Sequence, residues 1–320
     1  MPAISSSAPG KVILCGEHAV VYGQPAIALP VQDVSTRSVI IARPNLANGI
    51  VLIKDPAVGI KCMLSDMHPD SNLRKTTALV LSALAIDHIP ACEIQIHSNI
   101  PVGGGLGSSA SVTVSLARAL STFLGHPLSD ETINDIAFEV EKTHHRTPSG
   151  IDNSVITYAR PLLFQKGHPL RWLQFSHPML FLIANSGLKG STKKAVGLVR
   201  EHWMSNTQEY ETIFSRIGQI TTTMLEVLQT GQLALAGGLM SENHKLLTRM
   251  GVSLPVLDKL VDAALQAGAF GAKMTGGGLG GNVLALIPLD AYAQVNRALL
   301  NAGAAKVIPA RFNIPEGEVT

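Results

Sequence analysis

No apolar run in this 320-residue chain approaches the length needed to cross a membrane. The opening residues, MPAISSSAPG, carry no charged stretch leading into an apolar one, so no secretory leader is expected. Cysteine is scarce. Cys15, Cys62 and Cys92 are odd in number, far apart and without metal-ligand spacing, which reads as buried or free thiols in a reducing compartment. Charge is sparse too: 15% of the residues are charged, the formal net charge is +2, and no long basic run occurs. That balance speaks against nucleic acid or a membrane surface as a partner. Internal repeats and low-complexity segments are also missing. These absences leave an ordered cytoplasmic protein, 46% hydrophobic and long enough for a large core and two domains.

The patterning that is present mixes strands and helices. Runs of β-branched residues over 34–44, 48–55 and 91–101 predict strands; the last alternates Cys92, Ile94 and Ile96 inward with Glu93, Gln95 and His97 outward. Residues 72–87 and 110–124 predict helices, with Gly125 as the stop of the second. Ser129 is the expected cap of a helix whose apolar face is Ile133, Ile136, Ala137 and Val140, ending at Pro148. A strand-rich stretch is expected over 154–184, one or two long helices over 192–230, and further helices at 233–249 and 256–267. KMTGGGLGGNVLALIP reads as strand, glycine turn, strand, and AKVIPARF as an edge strand. The change of pattern near 175–185 divides the chain into expected domains of 1–178 and 179–320.

The densest signal is PVGGGLGSSASVTVSLARAL, residues 101–120. Gly103, Gly104, Gly105 and Gly107 let the backbone approach a ligand closely, and Ser108 and Ser109 open a helix whose first N–H groups lack internal partners. Together with the helix dipole this makes an anion site suited to nucleotide phosphates. A Walker A loop does not fit, because Ser108 and Ser109 follow Gly107 where Lys would be needed. The dinucleotide fingerprint fails as well, since its sixth place, counted from Gly103, holds Ser108.

Two other stretches interrupt apolar surroundings with polar groups. In APGKVILCGEHAVVYG, Lys11 heads an apolar strand and Glu17 and His18 follow a turn at Gly16; burying three such residues without partners would be costly, so they mark a site. In EKTHHRTPSGIDNSV, Glu141 lies at a helix end and Asp152 emerges after a turn at Pro148, Ser149 and Gly150. Phosphoryl transfer to an alcohol needs Mg²⁺ on the phosphates, a cation near the moving group and a carboxylate at the hydroxyl. Mg²⁺ takes few protein ligands, all oxygen, which Glu141 and Ser108 or Ser109 could supply.

The segments PGKVILCGEHAVVYG, PVGGGLGSSA, PSGIDN and KMTGGGLGG, in this order and spacing, resemble the GHMP small-molecule kinases over nearly the whole chain. ENHKLLTRMGVS, residues 242–253, is similar to a late helical segment of that family. The resemblance implies an α+β fold: an N-terminal domain like ribosomal protein S5, with a left-handed βαβ crossover, and a C-terminal ferredoxin-like domain. It implies ATP and Mg²⁺ as cofactors, and the GEHAVVYG form implies mevalonate as the alcohol, phosphorylated on its primary hydroxyl. Gly103, Gly104, Gly105, Leu106, Gly107, Ser108 and Ser109 would wrap the ATP phosphates, and Ser109 and Glu141 would hold Mg²⁺. Asp152 would be base or orienter, with Lys11 neutralising charge beside it. Glu17, His18 and Thr192 would lie at the substrate. A homodimer is the expected assembly. Galactokinases also carry GEH, usually followed by an Asp-containing sugar pattern, whereas Ala19, Val20, Val21 and Tyr22 follow here. Three residues depart from the family pattern: Gly104 where alanine is common, Leu279 among the late glycines, and Asn282 where a small residue or cysteine often stands.

Overall fold

The computed structural model describes residues 3–101, 103–144 and 149–314. The chain forms two compact units that interleave along the sequence. The first takes the chain up to Gly10, Val34–Ile100 and Gly107–Ala159; the second takes Lys11–Asp33, Pro101–Leu106 and Arg160–Thr320. Two long strands, β1 (Ala3–Cys15) and β2 (Ala26–Ala42), each contribute residues to both units.

The first unit continues with β3 (Val51–Asp55), β4 (Ile60–Met63), α1 (Asn72–Ala83), β5 (Cys92–Ser98), α2 (Ser108–Phe123), α3 (Asp130–His144) and α4 (Ile151–Tyr158). Its strands lie in the order β4-β3-β5-β2, antiparallel except that β3 and β5 run parallel, joined through α1. Ile40, Ile53, Ile94 and Ile96 pack from the strands against Val80 of α1, Val114 and Leu120 of α2, and Ile133, Ile136 and Ala137 of α3. The expected cap is in place, with the Ser129 hydroxyl accepting from the Thr132 N–H at 3.2 Å. Gly125 takes a φ of +83° after α2, as its stop signal implied. Pro148, expected to end α3, lies outside the described residues.

One expectation fails here. Residues 154–158 belong to a helix, not to a strand-rich stretch. Gly150, at φ +89°, starts α4. Its β-branched Val155, Ile156 and Thr157 are buried, and α4 packs on α2 and α3. Asn153 also donates to the Asn134 side-chain oxygen at 2.8 Å. Tertiary packing outweighs the modest strand preference of such residues.

The second unit continues with β6 (Leu162–Phe164), β7 (Arg171–Trp172), β8 (Met179–Asn185), α5 (Thr192–Ser205), α6 (Thr207–Gln229), α7 (Leu233–Arg249), α8 (Pro255–Gln266), β9 (Gly271–Thr275), β10 (Asn282–Ile287), α9 (Tyr292–Asn301) and β11 (Lys306–Phe312). The last four strands form an antiparallel sheet in the order β11-β8-β10-β9, which is the ferredoxin-like arrangement, and β11 is an edge strand as expected. β10 is buried along its whole length and β8 up to Asn185, which explains their unbroken apolar sequences. Leu180, Leu182, Val283 and Ala285 pack with Phe214 and Ile217 of α6, Leu247 of α7 and Leu260 of α8.

Glu93, predicted to face outward on β5, is nevertheless buried. Arg43 and Lys54 reach it at 2.6 and 2.7 Å, and Gln95 donates to it at 2.6 Å. Burial pushes its carboxyl up, but these hydrogen bonds outweigh burial and hold it down at about 2. A folded value below the unfolded one stabilises the protein fully above about pH 4.5, and this support fades as pH falls towards 2. Glu93→Gln should therefore cost about 1.5–3 kcal/mol near neutrality, the range for hydrogen bonds to charged groups. Urea unfolding from pH 7 down to pH 2.5 should show parent and variant converging in acid; a constant gap would refute the assignment.

Candidate active site

In the second unit, Gly16 follows the end of β1, with φ at +101° and a Cβ that would run into Ala26. Only glycine allows that fold-back, and it delivers Glu17 and His18 into the interior. Lys11, Glu17 and His18 are all buried. The Lys11 N–H donates to the Leu106 carbonyl at 3.0 Å, fastening the strand to the glycine loop. The Thr275 hydroxyl, at the end of β9, accepts from the Ile13 N–H at 3.1 Å and donates to the Ile13 carbonyl at 2.9 Å.

Glu17 forms an ion pair with Lys273 of β9, both side chains sealed from solvent. Lys273 Nζ also donates to the Met274 carbonyl at 2.7 Å. Burial pushes the Glu17 carboxyl up, and the neighbouring ammonium only partly offsets this. Oε1 faces Lys273; Oε2 has no hydrogen-bond partner among the described residues. His18 Nε2 lies 2.9 Å from the Gly277 carbonyl, so that nitrogen carries the proton and Nδ1 keeps its lone pair. Burial pushes the ring down to about 4, leaving it neutral at pH 7. Its φ of +60° and ψ of −50° are rare for any residue but glycine, a strain the surrounding contacts hold.

Gly277 belongs to the turn between β9 and β10. A Cβ on it would run into Thr192, the exposed first residue of α5, which Ser191 caps by accepting from the Lys194 N–H. Gly105 packs its backbone against Gly276 in the same turn. Glu17, His18, Thr192 and the loop 103–106 thus gather around the late glycines.

In the first unit, Gly107 at φ +73° starts α2, and Ser108 and Ser109 form its first turn. It is Ser109 that reaches Glu141, donating to Oε1 at 2.9 Å while accepting from Asn72 Nδ2 at 2.7 Å. Glu141 is buried in the last turn of α3. Asp152 lies in the first turn of α4, half-buried, where the helix dipole favours a carboxylate. Two participants carried no role from sequence, Asn72 and Lys273. Lys273 had a readable signal, a lone cation in the middle of a short, otherwise uncharged strand; Asn72 had none.

The model of the GHMP kinases N-terminal domain matches residues 72–160, and that of the C-terminal domain matches 224–305. A mevalonate kinase from Pyrococcus horikoshii is 34% identical over 324 residues, covering 95% of this chain and 94% of its own. This chain belongs to the GHMP kinases. Among solved GHMP kinases, the mevalonate kinase of Methanococcus jannaschii aligns with a TM-score of 0.85 at 26% identity, covering 98% of this chain and 99% of that one. The L. major mevalonate kinase, solved in complex with R-mevalonate, aligns with a TM-score of 0.81 at 28% identity, covering 96% and 95%. Leu279, unusual among GHMP late glycines, takes a φ of +54°. Its N–H donates to the Val252 carbonyl at 2.8 Å and its side chain packs on the core, so the turn accommodates it.

Removing one partner of a buried ion pair leaves the other uncompensated. Lys273→Met should destabilise by about 3–5 kcal/mol in urea unfolding. The double variant Glu17→Gln with Lys273→Met should recover much of that loss. A double variant no better than the single one would show that the pair carries no such weight.

Proposed function

We propose that this chain is an ATP-dependent kinase that phosphorylates the primary 5-hydroxyl of mevalonate, giving 5-phosphomevalonate and ADP for isoprenoid precursors in the mevalonate pathway. The observation that carries the reading is the full-length likeness to mevalonate kinases, one of them solved with R-mevalonate bound. The residues supply matching chemistry. The glycine loop and the first turn of α2 offer backbone N–H groups to the ATP phosphates. Asp152 orients or deprotonates the 5-hydroxyl as its oxygen bonds to the γ-phosphorus and the bond to the ADP oxygen breaks. The Lys11 ammonium offsets charge gathering at that oxygen. The unpartnered Oε2 of Glu17 and the Nδ1 lone pair of His18 are acceptors for substrate hydroxyl protons, with Thr192 beside them. Free thiols, and the lack of any helix among the described residues long and apolar enough to cross a membrane, fit work in the cytoplasm.

Ser109 and Glu141 fit Mg²⁺. Both would hold it through oxygen, the donor atom Mg²⁺ takes, and the hydrogen bond between them already brings the hydroxyl and the carboxylate together. When bound there, the ion would supply charge neutralisation on the phosphates. Among the described residues no cluster of three or more His, Cys, Asp or Glu competes as a metal site.

Coupled ADP release should be fastest with mevalonate, weak with galactose and absent with phosphomevalonate, which has no free primary hydroxyl. Faster turnover of galactose would overturn the acceptor. Asp152→Asn should retain ATP and mevalonate binding while kcat falls by roughly 10²–10⁴. Glu141→Gln and Ser109→Ala should raise the Mg²⁺ requirement more than Ser108→Ala does. A titration giving the reverse order would exchange the serines' roles.

A further inference from the structure

Two of the departures from the family pattern, Gly104 and Asn282, touch each other. Asn282 opens β10, fully buried, opposite Asn185 of β8 in the antiparallel register. The Gly187 N–H donates to Asn185 Oδ1 at 2.9 Å. A backbone N–H can only donate, so the oxygen of Asn185 faces it and its amide nitrogen faces Asn282. That nitrogen donates to Asn282 Oδ1 at 2.9 Å. The Asn282 nitrogen is then turned to the Gly104 carbonyl and donates to it. The relay has one self-consistent orientation of both amides.

Gly104 is buried, whereas its neighbours Gly103 and Gly105 are exposed. A Cβ on Gly104 would lie 2.8 Å from Asn282 Nδ2 and 3.2 Å from Asn185 Nδ2. Gly104 has no positive φ, so its backbone would accept alanine and only these two amides contest the space. In a trans peptide the carbonyl of one residue and the N–H of the next point in opposite directions. Anchoring the Gly104 carbonyl on Asn282 therefore turns the N–H of the exposed Gly105 away from Asn282. Among the described residues no acceptor pairs with that N–H. A second tie, from the Gly190 N–H to the Gly103 carbonyl at 3.2 Å, holds the preceding peptide.

We propose that Asn282, oriented by Asn185, is a positioning residue that presents the Gly105 N–H to a nucleotide phosphate, and that Gly104 is glycine because Asn282 fills the adjoining space. The amide at 282 and the missing side chain at 104 form one coupled device. It rests on the reading that this loop takes the phosphates of ATP.

The test is a double-mutant cycle read as the Kd for a non-hydrolysable ATP analogue with Mg²⁺, by calorimetry, which needs no acceptor substrate. Asn282→Ala should weaken binding roughly 3–10-fold, the scale of one lost neutral hydrogen bond. Gly104→Ala alone should weaken it by about 10-fold or more through overpacking. Gly104→Ala added to Asn282→Ala should cost little further, because the contested space is then free. Asn185→Ala, which leaves the Gly104 contact but frees the amide, should have a smaller effect of the same kind and serves if Asn282→Ala fails to fold. In turnover assays the KM for ATP should rise while that for mevalonate stays within about twofold. Losses that simply multiply, or an Asn282→Ala Kd within twofold of the parent, would overturn the proposal. A parent chain that binds no ATP analogue would instead overturn the nucleotide reading beneath it.

Discussion

A carboxylate and an ammonium sealed from water, Glu17 and Lys273, hold the second unit's functional segments in register. Each charge would be untenable in the interior alone, so β9 and the turn after β1 are bound to stay together. Their pairing places His18 against the Gly277 carbonyl and sets the hydroxyl of Thr275 on Ile13. It also leaves one carboxylate oxygen without a hydrogen-bond donor among the described residues, in surroundings where an unmet acceptor is costly.

The first unit solves a different problem. Its oxygen donors sit at helix ends: Ser109 in the first turn of α2, Glu141 in the last turn of α3, and Asp152 in the first turn of α4. Asn72 of α1 completes the set by binding Ser109. Helix packing brings the ends of α1, α2 and α3 together at Asn72, Ser109 and Glu141, and helix dipoles favour the carboxylate of Asp152 but not that of Glu141 at a C-terminal turn.

Glycine serves close approach rather than flexibility in this protein. Gly16 admits the chain past Ala26, and Gly104 admits two asparagine amides. A strict glycine pattern is not required throughout, because Leu279 takes a left-handed conformation inside the late cluster and is compensated by its hydrogen bond and its packing.

Much of this was legible in the chain itself. Polar residues interrupting apolar strands marked Lys11, Glu17 and His18 as buried, and glycine followed by serine marked the start of α2. The ferredoxin-like order of the last four strands also followed from the family motifs. Helix α4 was not legible, because Val155, Ile156 and Thr157 favour strands locally and only packing on α2 and α3 makes them helical. Nor was the interleaving of the two units: the sequence reads as a short strand headed by Lys11 and another over 34–44, whereas β1 and β2 begin at Ala3 and Ala26, and nothing local shows where each passes from one unit to the other. Side-chain partners were decided by tertiary structure alone. Lys273 lies 256 residues from Glu17, and Asn282 lies 178 residues from Gly104. Periodicity reports which face of an element is buried, but the choice of partner across such separations depends on the complete packing of the chain.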